Sequence, residues 1–141
     1  NLDKAVAILK QENCTCVLVK KERVMKAYTK GIQPMIDFIT SRSDIFGYSV
    51  ADLIVGKAAA LLFVYSGITE VYGEVMSRTA VEVLKKHGIS YKYDTLVDSI
   101  INRDQTDICP MEQAVLDVDD SFEAYKVLYA KLQELKGNKF F

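Results

Sequence analysis

The chain has 141 residues, half of them apolar, and its 18 basic and 19 acidic side chains leave a formal charge of -1. That is enough apolar material for one hydrophobic core, and too balanced a charge for a protein that tracks a phosphate backbone, so nucleic acid is not expected as a partner. The longest weakly charged stretch, from Leu53 to Thr69, is interrupted by Gly56 and Lys57 and is too short to span a bilayer, which excludes a membrane-spanning helix there.

Leu2, Ala5, Val6 and Leu9 recur at helical spacing and predict a first helix that ends near Glu12 and Asn13. The same segment lacks the basic start, apolar middle and small-residue cleavage pattern of a secretion signal, so cytoplasm is the expected location. Cys14 to Lys20 and Arg23 to Tyr28 are rich in β-formers, with Lys21 and Glu22 at the tip of a hairpin. Gly31 breaks the second strand, and Pro34 with Ile32, Met35, Ile36 and Ile39 predicts a short helix. Ser41 to Tyr48 reads as loop. Ser49 followed three residues later by Asp52 has the form of a capping box, which predicts a helix from there to about Tyr65. Apolar on nearly every side, that helix has to pack on a sheet and be covered again.

Ile68 to Val75 reads as a buried strand, Ser77 as the cap of a helix carrying Ala80, Val83 and Leu84, and Gly88 as its stop. Ile89, Tyr91 and Tyr93 alternate with polar residues, so Ile68 to Tyr93 forms one βαβ crossover with parallel strands. Leu96 to Ile101 fits an edge strand or a helical turn equally well. Cys109, Pro110 and Glu112 have the pattern of a cap, a first-turn proline and a third-position carboxylate, opening a short helix with Met111, Ala114, Val115 and Val118 on its buried side. Phe122, Tyr125, Leu128, Tyr129, Leu132 and Leu135 mark a longer amphipathic helix closed by Gly137. With no repeat and no Gly/Ser linker, residues 1–141 are expected to form a single domain of the α/β class.

The order of helix, hairpin, helix, strand, helix and strand, followed by further helices, resembles the cytidine-deaminase-like fold, and the resemblance implies a three-layer α/β/α sandwich with a mixed sheet. Zinc members of that superfamily carry an H-A-E type motif at the start of the central helix and a P-C-x-x-C motif at the next. Here those positions fall near Lys57, Ala58 and Ala59, and near Met76, Ser77, Arg78, Thr79 and Ala80. The runs Gly56-Lys57-Ala58-Ala59-Ala60-Leu61-Leu62 and Asn102-Arg103-Asp104 through Cys109-Pro110-Met111-Glu112 are similar to an uncharacterised prokaryotic family, a domain of unknown function assigned to the zinc-free branch. That resemblance implies the fold and no particular activity.

Zinc needs three or four converging N, S or carboxylate ligands, and the single histidine, His87, falls in the last turn of its helix, so neither a metal site nor a cofactor is expected. Three cysteines, an odd number, fit reduced thiols rather than a disulfide framework. Cys14 and Cys16, two apart on a strand, are expected on one buried face. Lys57 is the lone charge between Asp52 and Glu70; it either pairs with a carboxylate such as Asp52 or Asp104, or faces an anionic ligand. Gly56 beside it points to close packing or a ligand against the backbone, because glycine costs roughly 1 kcal/mol relative to alanine inside a helix.

Ser77 and Arg78 open a helix, and helix starts receive anions. Asn102, Arg103, Asp104, Thr106 and Asp107 place polar groups in the loop before Glu112. Cys109, at a predicted helix start, is the candidate nucleophile, since the helix dipole favours a thiolate there. Three functional readings follow. The leading one is a domain binding a small anionic molecule, such as a nucleotide, through Gly56, Lys57, Ser77, Arg78, Asn102, Arg103, Asp104 and Glu112. A second is a thiol-dependent enzyme built on Cys109. The third is a homodimeric interaction domain.

Overall fold

A computed structural model describes residues 1–101 and 107–138. Its first elements are α1 (Leu2–Gln11), the hairpin β1 (Cys16–Lys20) and β2 (Arg23–Ala27), and α2 (Gln33–Thr40). They are followed by β3 (Ser49–Val55), α3 (Lys57–Ser66), β4 (Glu70–Ser77), α4 (Arg78–Lys86) and β5 (Ser90–Val97). The short α5 (Pro110–Ala114) and the long α6 (Ser121–Asn138) complete the described chain. The five strands form one mixed sheet in the order β2-β1-β3-β4-β5, with β1 antiparallel to both β2 and β3, and β3, β4 and β5 parallel. The parallel βαβ crossover expected from Ile68 to Tyr93 is present.

Strand alternation sends the sheet's apolar residues into two separate cores. On one face, Leu2, Ala5 and Leu9 of α1 pack on Val17, Val19, Ala51 and Tyr72. On the other, Cys16, Leu18, Val50, Val55, Val71 and Met76 meet α2, α3, α4 and α6. Helices thus cover both sides of the sheet. Ala58 through Phe63 of α3 are all buried, because α6 lies across the side of α3 turned away from the sheet. Gly67 ends that helix in the left-handed conformation at φ 77°. Cys14 and Cys16 do not share a face: the strand begins only at Cys16, which enters the larger core, while Cys14 packs with α1.

Residues 49–55 depart from the expected helix. Ser49 does not cap a helix; its hydroxyl donates to Glu70 at 2.7 Å, and Ser49 to Val55 pair with β1 on one side and β4 on the other. A central strand buried on both faces is a nearly continuous apolar run, which local periodicity confuses with an enclosed helix. Pairing along both edges outweighs a capping pattern worth about 1 kcal/mol. The helix starts eight residues later than predicted. At the other end of the crossover, Leu96 and Val97 belong to β5, and Ile101 makes an isolated antiparallel bridge to Ile108.

Asp52 is carried into the sheet centre by this strand, opposite Cys16. Burial pushes its carboxyl up to about 7, against the amides of Leu53 and Ile54, which favour the charged form. Burial, followed by the charges of Asp52 and Cys14, also drives the Cys16 thiol well above its ordinary value. An acid raised in the folded state stabilises the fold while protonated, and that contribution is lost as pH rises through the folded value. Stability is therefore expected to fall between about pH 4 and about pH 8. In thermal melts across that range, Asp52→Asn should flatten the decline and melt above the wild type at the alkaline end.

Candidate functional site

Three of the candidate residues, Gly56, Lys57 and Glu112, meet at the start of α3. Gly56 is the N-cap residue and supplies no side chain to the free amides of the first turn. Those amides are served from another helix. Glu112, on α5, places Oε1 at 2.7 Å from the Lys57 amide and Oε2 at 2.8 Å from the Ala58 amide, so one carboxylate receives two N–H donors. Glu112 is 8% exposed, and burial raises its carboxyl above the ordinary range, opposed by the amides of Ala58 and Lys57 and by the Lys57 charge. The expected third-position cap is corrected by this geometry: Pro110 does open α5, but the Glu112 side chain caps α3 instead of its own helix.

Gly56 is explained by the same contact. A Cβ at this position would lie 2.6 Å from the Glu112 carboxyl carbon, so a side chain here would push the carboxylate off the amides. Lys57, 15% exposed, directs its amine to the Leu116 carbonyl at 3.1 Å and to Asp119 Oδ1 at 3.4 Å. Its carboxylate partner is thus Asp119 in the segment after α5; Asp52 is turned to the amides of its own strand, and Asp104 lies outside the described residues.

The other candidates are placed separately. Ser77 is fully buried, accepts the Ala80 amide at 3.1 Å and shares a hydrogen bond with Thr79, an ordinary cap for α4. Arg78 pairs with Asp98 at 2.7 Å, both well exposed. Cys109 precedes Pro110 with its amide bonded to the Ile100 carbonyl at 2.9 Å; its half-buried side chain packs against the larger core and makes no cap. Asn102, Arg103 and Asp104 lie outside the described residues. The zinc chemistry of the resembling superfamily does not fit the start of α3, where Gly56, Lys57, Ala58 and Ala59 offer no ligand set. Among the described residues no group of three or more His, Cys, Asp or Glu side chains is placed to hold a metal ion.

Two features escaped the sequence reading. Tyr72 donates its hydroxyl to Asp94, which also receives Lys10 at 3.0 Å, tying α1 to β4 and β5. The Tyr72 and Lys10 hydrogen bonds hold the Asp94 carboxyl below its ordinary range. No local signal marks this cluster, because Lys10, Tyr72 and Asp94 come from three separate elements. Two surface clefts are also present. One, of about 510 Å³, is lined by Val64, Gly67, Ile68, Lys86, His87 and Ile89. The other, of about 450 Å³, lies between α1 and β5 beside Tyr72, Lys92 and Asp94. Gly56, Lys57 and Glu112 line neither.

Residues 4–132 match the family model described as a domain of unknown function, DUF1893 (TM1506). The chain belongs to this family. A crystal structure of a DUF1893 family protein (TM1506) from Thermotoga maritima is similar, with 25% identity, a TM-score of 0.83, and coverage of 92% of this chain and 88% of that one. A dCMP deaminase from the cyanophage S-TIM5 in apo form shows a weaker likeness, with 13% identity, a TM-score of 0.45, and coverage of 65% and 92%. A diaminohydroxyphosphoribosylaminopyrimidine deaminase/5-amino-6-(5-phosphoribosylamino)uracil reductase from Thermotoga maritima is comparable, with 16% identity, a TM-score of 0.43, and coverage of 66% and 35%. Curated proteins give no match. Among the described residues no helix is long and apolar enough to cross a membrane.

The contact between α5 and α3 makes a double-mutant test sharp. Glu112→Ala strips two charge-assisted bonds from buried amides and should cost about 2 kcal/mol in denaturant unfolding. Gly56→Ala should cost a similar amount by expelling the carboxylate. Because both break one contact, Gly56→Ala in the Glu112→Ala background should be nearly neutral.

Proposed function

We propose that this chain is a non-catalytic interaction domain on a deaminase-like scaffold, acting through association of its copies. The observation that carries the reading is the Glu112 carboxylate on the Lys57 and Ala58 amides. The position that would receive an anionic ligand is filled from within the chain, and the neighbouring cation is engaged by Leu116 and Asp119. A helix start satisfied in this way braces α5 against α3; it does not hold open a reaction centre. Cys109, the candidate nucleophile, packs against the core. Meanwhile Ile54, Tyr65, Tyr93, Phe122 and Tyr129 leave large apolar surfaces exposed.

A second reading is favoured by the Lys57 amine itself, which is shielded at the rim of the same locus. In that reading a small anion such as a nucleotide displaces Glu112 and is met by Gly56, Lys57 and, from the next helix start, Ser77 and Arg78. The two readings separate in a thermal-shift screen of nucleotides and simple anions. The interaction reading expects no shift in the wild type, together with a dimer in light scattering. A nucleotide that raises Tm in the wild type and fails to do so in Lys57→Ala overturns it. Alkylation by iodoacetamide at mildly acidic pH should be slow at Cys109, whereas rapid modification would favour the thiol enzyme.

A further inference from the structure

The sheet ends on β5, whose outer edge has no partner strand among the described residues. Its eight residues, Ser90–Val97, include neither proline nor glycine, and Lys92, Tyr93, Asp94 and Thr95 are all exposed, with Tyr93 at 41%. Edges of this length are normally blunted by proline, a bulge or an unmatched lysine, because they template pairing with another chain. In most registers with a second copy Lys92 would have no carboxylate opposite it. In one register it is matched.

We propose that two copies of this chain join along β5 in antiparallel register about a two-fold axis at Tyr93, merging their two sheets into one. That axis sets Tyr93 opposite its own copy, Lys92 opposite Asp94, Tyr91 opposite Thr95 and Ser90 opposite Leu96. Strand alternation places the charged pairs on one face and the tyrosine pair on the other. Opposite charges and aromatic pairs directly across antiparallel strands are the favourable cross-strand combinations, and the two-fold makes each occur in a self-complementary set. Asp94 has the capacity for this contact: Lys10 and Tyr72 both bind Oδ2, leaving Oδ1 for the partner's lysine. The opposite sheet edge does not compete well. β2 is five residues long and carries Arg23 and Lys26 with no acidic residue, so two copies there would have no countercharge.

The inference rests on the interaction reading and names its surface. Sedimentation velocity of the wild-type chain should give a dimer. Lys92→Asp and Asp94→Lys, each alone, set like charges opposite one another and should raise the dissociation constant about tenfold or more, while mixing the two variants restores a heterodimer. Far-UV circular dichroism and a thermal melt check that each variant is folded. Tyr93→Cys, which leaves the charges untouched, should form a disulfide-linked dimer under mild oxidation, with the wild-type chain as the background for Cys14, Cys16 and Cys109. A dimer indifferent to Lys92→Asp and not cross-linked through Tyr93→Cys would sink this surface while leaving the interaction reading standing. A wild-type chain that stays monomeric at high micromolar concentration would remove both.

Discussion

The carboxylate of Glu112 on the first amides of α3 is the contact around which the candidate site is organised. It joins the chain's start-of-helix locus to a residue 55 positions further on, and it accounts for three oddities together. Gly56 is glycine because the carboxyl group occupies the space of its Cβ. Glu112 tolerates burial because two amides compensate a desolvated charge. Lys57 turns outward to Leu116 and Asp119, adding a second tie to the segment that carries α5.

The cap is possible because of the layer around it. α3 is apolar on every side, so it needs the sheet beneath it and α6 above it, and α5 leads into α6 from the side on which α3 begins. A helix held this deeply cannot rely on water for its first amides. An internal carboxylate is the physical answer. On the opposite face, α1 packs on β1, β3 and β4 and is tied to β5 by the Lys10–Asp94 pair. The uneven cover leaves the last strand open, and it gives the sheet two unlike edges: a short basic hairpin strand and a longer strand of mixed charge.

Much of the architecture was legible in the residues. The spacing of Leu2, Ala5 and Leu9 fixed the amphipathic first helix, Lys21 and Glu22 the hairpin tip, and Ser77 and Gly88 the limits of the crossover helix, because each depends on a local rule of period, cap or turn. The resemblance to a domain-of-unknown-function family through Gly56 to Leu62 and Cys109 to Glu112 agrees with the family match. The strand at Ser49–Val55 was hidden for the opposite reason. Its identity comes from neighbours on both edges, which no window of the chain contains, while Ser49 and Asp52 offered a local pattern that those neighbours override.

The sequence alone determined the α/β class, the order of most elements, and the unusual nature of Gly56 and Lys57, since a glycine and a lone lysine within an otherwise apolar run are visible one residue at a time. Only the tertiary structure decided that Gly56 and Glu112 answer each other, that Lys57 belongs with Asp119, and that Asp52 is buried in the sheet beside Cys16. The reason is physical. Propensity and capping act over one turn of chain, whereas the cost of burying a charge is set by whatever the fold brings against it, and here those partners come from distant segments.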